Sequence, residues 1–274
     1  MTLEVNFSVI IPTFNRADVL KRAVDSVLNQ TYKKFELIVV DDGSTDQTKE
    51  LLEKYNDIRI ITQVNKGVSA ARNTAIKKSN GNWICFLDSD DEWISTKLES
   101  QKNAILSHPK FIWNHTNEIW IRNGVRVNQM KKHQKAGGDQ FKRSLELCII
   151  SPSTVCIRKD ILIDHLFRED LPVCEDYDLW LKLSSQYEID FIEEPLIYKY
   201  GGHKDQLSRK YIAMDFFRLK SMFDLYLKYN LSVQQIEQLK VEFRKKARVL
   251  LKGYKKHNNL IHVDEVEFML NTLS

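Results

Sequence analysis

Four short apolar runs between Phe7 and Leu87, separated by segments with helical spacing, constrain this fold more than any other feature. Phe7–Ile11 (FSVII), Phe35–Val40 (FELIVV), Ile58–Ile61 (IRII) and Trp83–Leu87 (WICFL) are rich in β-branched residues. They read as strands buried on both faces of a parallel sheet. Between them, Val19/Leu20, Ala23/Val24 and Val27/Leu28, then Val68, Ala71/Arg72 and Ala75/Ile76, recur at the spacing of amphipathic helices. Ser44 and Gln47 have the form of a capping box opening the helix between the second and third runs. The order β-α-β-α-β-α-β predicts an α/β fold, with a mostly parallel doubly wound sheet, helices on both faces and right-handed crossovers.

The remainder is less regular. Ser95–Ser107 reads as a helix and Phe111–Arg122 as strand material, with Asn123-Gly124 a hairpin signal before Val125. Residues 128–140 (NQMKKHQKAGGDQ) are polar and read as a mobile loop, suited to selecting an acceptor. Thr154–Ile157 reads as a strand, Asp176–Ser185 as a helix, and Ile189–Ile192 and Leu196–Tyr200 as two short strands; from about Arg209 the pattern is helical. We therefore expect a catalytic domain over 1–208, with a nucleotide-binding half (1–110) and an acceptor and base half (111–208), then a helical extension over 209–274.

Composition excludes several classes. A net charge of +4 is too mild to indicate a nucleic-acid partner. Cys85, Cys148, Cys156 and Cys174 lack C-x-x-C spacing and fit reduced thiols of the cytoplasm. No apolar run has the length of a membrane span, and the first residues lack the form of a signal peptide. These features point to a cytoplasmic chain. Neither a Gly-x-Gly-x-x-Gly turn nor a P-loop follows the first strand, so a nucleotide must be held by side chains and metal.

In an open parallel sheet, ligands bind beyond the carboxyl ends of the strands. Those ends carry Pro12-Thr13-Phe14-Asn15-Arg16, Asp41-Asp42-Gly43-Ser44 and Asp88-Ser89-Asp90-Asp91. Adjacent carboxylates after an apolar strand are costly unless compensated. Asp88, Asp90 and Asp91 have no basic residue close in sequence before Lys97, and hard divalent cations such as Mg²⁺ or Mn²⁺ favour a few carboxylates plus phosphate oxygens. Farther on, Asp176, Leu179, Trp180 and Leu183 fall at i, i+3, i+4 and i+7, so Asp176 shares the apolar face at a helix N-terminus. A carboxylate held there suits a general base. Asp178 then points elsewhere, into solvent. Trp113 and Trp120 read as core residues more than as lining of an acceptor groove.

These clusters resemble the family-two glycosyltransferases with the GT-A nucleotide-sugar-binding fold. VIIPTFNR, VVDDGSTDQT, NKGVSAARNTAI and FLDSDDEW stand in the family's order and approximate spacing, followed by CEDYDLWLKL and GGHKDQLS. The resemblance implies a nucleotide site from Pro12, Phe14, Asn15, Asp42, Arg72, Asp88 and Ser89. It implies a Mn²⁺ or Mg²⁺ site on the diphosphate from Asp90 first, with Asp88, Asp91 and His203, supported by Gln206 and Ser208. It also implies inverting transfer from a nucleotide-diphosphate sugar to a carbohydrate or lipid-linked acceptor, with Asp176 as base, in cell-surface polysaccharide or glycolipid assembly. Two other readings stand beside it: a catalytically degenerate nucleotide-sugar-binding module, and a sugar nucleotidyltransferase. The latter lacks its Gly-rich basic signature at PTFNR.

In the C-terminal segment, Ile236, Leu239, Phe243, Ala247 and Leu250 form an apolar stripe beside Lys240, Arg244, Arg248, Lys252 and Lys256. The bland account is an apolar face docked on the protein and a solvated basic face. The functional one is weak, salt-sensitive contact with the anionic inner face of a membrane.

Overall fold

The computed structural model describes residues 4–202, 213–258 and 261–273. Its residues group into two compact units, one of 1–138, 149–169 and 188–202, the other of 139–148, 170–187 and 203–274. The helical unit thus recruits 139–148 and 170–187 as well as the C-terminal segment, which differs from a contiguous boundary near 208. The reason is the apolar core of that unit: Phe141, Leu145, Tyr177 and Leu181 pack with Leu219, Met222, Leu239 and Phe243.

The first unit is built on one sheet. Strands β1 (Phe7–Thr13), β2 (Phe35–Asp41), β3 (Arg59–Thr62) and β4 (Trp83–Phe86) are parallel, in the order β3-β2-β1-β4. The sheet continues through β8 (Val155–Arg158), β6 (Trp113–Arg122), β9 (Asp190–Gly201) and β5 (Glu92–Trp93), with β7 (Val125–Val127) paired to β6. Strand β8 runs antiparallel to both β4 and β6, β9 runs parallel to β6, and β5 antiparallel to β9. Helices α1 (Leu20–Leu28) and α3 (Val68–Lys78) pack on β1, whose seven residues are all buried. The helical periodicity of α1 is realised, since Leu20, Ala23, Val24 and Val27 enter the core beside Val9, Ile11, Leu37 and Val39. Helices α2 (Thr48–Leu52), α4 (Lys97–Ser107) and α6 (Lys159–Asp164) complete this unit.

Several sequence expectations are corrected. The IRII run forms the edge strand β3 and is largely exposed, because nothing among the described strands pairs beyond it. Its apolar character reflects β-propensity rather than burial. The two short strands expected over 189–200 are one strand, β9, carrying register shifts where it pairs with Thr116–Ile119. Asn123 and Gly124 both take positive φ, 49° and 78°, and close the β6–β7 hairpin as expected.

The 128–140 segment is not a loose loop. Lys135 is buried, donates to the Ile149 carbonyl at 2.7 Å and lies 3.4 Å from the equally buried Glu118 carboxylate. His115 Nε2 meets the Ala136 carbonyl at 2.9 Å, and Gly138 pairs with Ile189. Burial opposes the charge on Glu118, but Lys135, Lys199 and the Trp120 indole N–H hold its pKa down to about 2. Trp113 is fully buried, as core packing requires.

The second unit contains α5 (Phe141–Glu146), α7 (Glu175–Ser184), α8 (Asp215–Lys228), α9 (Val233–Lys256) and α10 (Val263–Thr272). A capping box does form here, at the start of α9: the Ser232 hydroxyl accepts from the Gln235 amide and the Gln235 side chain accepts from the Ser232 amide. Helix α7 is buried on nearly every side, so the expectation that Asp178 is solvated fails. Asp178 is buried and pairs with Lys182 one turn later, at 2.5 Å. Among the described residues no helix is long and apolar enough to cross a membrane.

The Glu118–Lys135 pair yields a stability prediction. Lys135→Met removes the paired cation from a buried carboxylate and should cost roughly 3 kcal/mol in urea unfolding at neutral pH. Because the folded-state pKa of Glu118 is depressed, its contribution is present above the ordinary carboxylate range and lost as pH falls toward about 2. The gap between wild type and variant should therefore narrow on acidification; a gap that is small or independent of pH would refute this account.

Candidate functional site

The register of the parallel strands brings the polar clusters to one sheet edge. Thr13 is level with Asp41, and the Asp42 amide donates to the Thr13 carbonyl at 2.9 Å. The β1 and β2 loops are then laced together by Asn15, which sits at φ 52°. Its amide donates to the Ser44 hydroxyl at 2.9 Å, and its side-chain oxygen accepts from the amides of Thr45 and Asp46 at 2.7 and 3.3 Å. Gly43 is needed at this crossing, with φ 82° and a Cβ position only 3.0 Å from the Asn65 amide nitrogen.

Ser44 therefore serves the β1 loop instead of capping α2. That role falls to Asp46, which accepts from the Thr48 amide at 3.0 Å and the Ala17 amide at 3.1 Å. The difference is tertiary. A capping box is a local motif, and here a residue twenty-nine positions away competes for the hydroxyl.

Asp42 is buried and accepts from three donors. Its Oδ1 takes the Gln63 side-chain amide at 2.7 Å and the Lys66 amide at 3.0 Å, while Oδ2 takes the Lys66 and Gly67 amides at 3.2 and 2.8 Å. The carboxylate thus fixes the entry to α3, where the helix dipole favours an anion. Pro12 is buried within β1, whereas the Phe14 ring, 44% exposed, projects from the sheet edge as an available apolar face.

The Asp88–Asp91 turn follows β4. The sequence offers no nearby cation, but the fold supplies three. Arg72, buried in α3, donates to Asp88 Oδ1 at 2.8 Å with its guanidinium 5.0 Å from the Phe167 ring. Arg22 of α1 donates to the Asp90 carbonyl. Lys199 of β9 acts electrostatically on Asp91. Lys97 is turned away, fully buried 4.0 Å over the Trp93 ring and donating to Gln101 at 2.6 Å, with burial lowering its pKa to about 8.

The three carboxylates of the turn differ in kind. Asp91 is buried and accepts from the Ser153 hydroxyl at 2.6 Å and the Tyr200 amide at 3.0 Å. Burial, with Asp90 and Asp88 beside it, pushes its pKa well above the ordinary carboxylate value. It therefore fastens the turn to β9 and to the 152–154 helical turn, and it is withdrawn from the metal set expected for it. Asp88, 31% exposed at its side chain, and Asp90, half-buried, remain, with Ser89 buried between them. Among the described residues no three metal-ligating side chains converge. Two carboxylates nevertheless are donors that suit Mg²⁺ or Mn²⁺, hard cations that would take their remaining ligands from phosphate oxygens and water. His203, Gln206 and Ser208 lie outside the described residues.

In the helical unit, Asp176 stands in the first turn of α7, half-buried. Its Oδ1 accepts from the Tyr177 amide at 2.7 Å and its Oδ2 from the Cys148 thiol at 3.5 Å. Burial first, and the Asp176 charge next, push the Cys148 thiol far up, so it stays a protonated donor. Arg22, Ser153, Lys199 and Tyr200, which organise the acidic turn, and Cys148 carry no signal in the sequence. None belongs to a local motif; only contact across the fold marks them.

The sequence model for glycosyl transferase family 2 matches residues 8–166. An uncharacterized glycosyltransferase of Rickettsia bellii is 35% identical over 196 residues, 70% of this chain and 28% of that protein. The chain spans 32% of the length of the next two relatives, also from Rickettsia. The Escherichia coli UDP-Glc:alpha-D-GlcNAc-diphosphoundecaprenol beta-1,3-glucosyltransferase WfgD is 34% identical over 222 residues, 80% of this chain and 84% of that protein. Among solved structures, Staphylococcus aureus TarS 1–349 superposes with a TM-score of 0.70 at 23% identity, covering 88% of this chain and 71% of that one. The α/β architecture, with its mostly parallel curled sheet, is thus the GT-A fold. With a family match over more than half its length and a relative of nearly the same extent, this chain belongs to glycosyl transferase family 2.

Proposed function

We propose that this protein transfers a sugar from a uridine-diphosphate sugar to a hydroxyl of a lipid-linked saccharide, with inversion at the anomeric carbon. The observation that carries the reading is the sheet edge where Asp42, Asp88 and Asp90 are gathered and compensated. The WfgD relative, whose name specifies a UDP-glucose donor and a diphosphoundecaprenol-linked acceptor, supports the choice of donor and acceptor class. Assembly of a cell-surface polysaccharide or glycolipid follows from such an acceptor.

In this reading Phe14 stacks against the base, while Asp42 and Asn15 keep the β1 and β2 loops in place to receive the nucleoside. Pro12 contributes to the wall beneath. Arg72 steadies Asp88, and Asp88 and Asp90 would bind the divalent cation. Such a cation, when bound, neutralises charge on the diphosphate leaving group. Asp176, kept in place by the Tyr177 amide and the Cys148 thiol, accepts the proton of the attacking hydroxyl. The acceptor oxygen displaces the diphosphate in one step.

Asp90→Ala should remove most activity and abolish the Mn²⁺-dependent part of UDP binding, measured by calorimetry with and without EDTA. Unchanged turnover, or no effect of EDTA on the wild type, would refute the metal assignment. Asp176→Asn preserves size but not basicity. Donor affinity should survive while kcat falls by about 10²–10⁴-fold. Lost donor affinity with normal kcat would make Asp176 a binding residue instead. A panel of nucleotide sugars also separates the alternatives, since a degenerate module would bind without turnover.

The basic face of α9 supports a location at the membrane, near a lipid-linked acceptor. The solvent face is not the stripe expected from sequence: Arg244 is half-buried and donates to the Leu273 carbonyl at 3.2 Å, and Lys240 is half-buried near the Tyr226 ring. The exposed set is Lys245, Arg248, Lys252, Lys255 and Lys256, with Val241 and Val249 at 55% and 64% exposure. Lys245 pairs with Glu242 at 3.2 Å, and α10 carries the exposed acids Asp264, Glu265 and Glu267, which temper the field. At about 1 kcal/mol per basic residue, contact with anionic lipid is weak and reversible. Sedimentation with anionic vesicles at low salt should exceed that with zwitterionic vesicles, and Arg248→Glu/Lys252→Glu should abolish the difference. Equal recovery in both supernatants would leave the face merely solvated.

A further inference from the structure

We infer that Arg22 is a positioning residue that holds the acidic turn from behind, by its backbone, so that the Asp90 carboxylate is presented in one orientation. The inference rests on the reading of Asp90 as a metal ligand. Arg22 lies in the first turn of α1, and its Nη2 donates to the Asp90 carbonyl at 2.5 Å. The guanidinium also lies over the Tyr200 ring, 3.6 Å from its centroid. That ring is itself fixed, because the Tyr200 hydroxyl donates to Glu92 Oε2 at 2.8 Å and the Tyr200 amide donates to Asp91 Oδ1 at 3.0 Å.

The consequence is geometric. Asp88, Asp90 and Asp91 repel one another, and such a turn relaxes by rotating its peptide planes apart. Four contacts prevent this. The Asp91 amide donates to the Asp88 carbonyl at 3.0 Å, and the Asp88 amide donates to the Ser153 hydroxyl at 3.1 Å. Ser153 in turn donates to Asp91, and the Asp90–Asp91 peptide, held on its amide side by the Asp88 carbonyl, is held on its carbonyl side by Arg22. Fixing that carbonyl fixes ψ of Asp90 and therefore the direction of its Cα–Cβ bond relative to the turn. The charge of Arg22 also offsets the three carboxylates without occupying a carboxylate oxygen of Asp90.

A planar guanidinium is required, since it stacks and donates at once; a lysine ammonium keeps only the charge. The cation–π geometry over Tyr200 orients the fork toward the Asp90 carbonyl. Tyr200 lies near the end of β9, so the same stack ties the acidic turn to that strand.

The test uses the full chain carrying Arg22→Met or Arg22→Lys. Amide hydrogen exchange of the metal-free protein reads the turn directly, and Mn²⁺ binding with saturating UDP, by electron paramagnetic resonance, reads the orientation of Asp90. Arg22→Met should accelerate exchange at the Asp91 and Trp93 amides by about tenfold or more and weaken Mn²⁺ binding by a similar factor, with α3 amides unchanged. Arg22→Lys should recover less than half of either loss on a logarithmic scale. Unchanged exchange in the turn, or Mn²⁺ affinity retained while the melting temperature falls, overturns the inference. Wild type that binds no Mn²⁺ with UDP instead defeats the metal reading of Asp90, even where exchange shows Arg22 holding the turn.

Discussion

The cost of gathering carboxylates at the end of a parallel sheet shapes the first unit. Asp41, Asp42, Asp88, Asp90 and Asp91 follow two apolar strands separated by β1. Unpaired, such charges would be driven apart or protonated. The protein answers in three ways. Backbone amides surround Asp42, arginines from α1 and α3 flank the acidic turn, and Asp91 is withdrawn into the interior with Ser153 and Tyr200. Only then do Asp88 and Asp90 remain accessible. The buried arginine in α3 serves this one electrostatic requirement.

The helical unit follows a different logic. Its core is apolar, and α7 enters it so fully that even Asp178 is enclosed and needs Lys182. Asp176, one residue before Tyr177, remains half-buried with a thiol and an amide for company. The proposed base therefore keeps partial solvent contact, whereas Asp42, surrounded by amide donors, is the fixed strut of the proposed site. The two aspartates carry the same functional group. Their surroundings differ.

Much of this architecture is legible in the order of residues. The parallel strands, helices α1 and α3, the β6–β7 hairpin and the strand-end positions of Asp42, Asp88 and Asp90 follow from periodicity and turn chemistry alone. These are local properties, set by how apolar side chains repeat along the chain. The departures are equally instructive. Ser44 has the local form of a helix cap and serves Asn15 instead; IRII has the composition of an interior strand and lies at the edge; the 128–140 segment has the polarity of a loose loop and is anchored by a buried ion pair.

The α/β class, the strand-end positions of the acidic clusters and the family are readable from the chain alone, because each depends on short motifs whose meaning survives in isolation. Tertiary structure alone decided which carboxylates stay available. Asp91 and Asp178 look as exposed in sequence as Asp90, yet both are buried. Arg22, Ser153 and Tyr200 reach the acidic turn from positions 62 to 109 residues distant. Charge compensation depends on distance in space and on local dielectric, and neither is written in the order of residues along a chain.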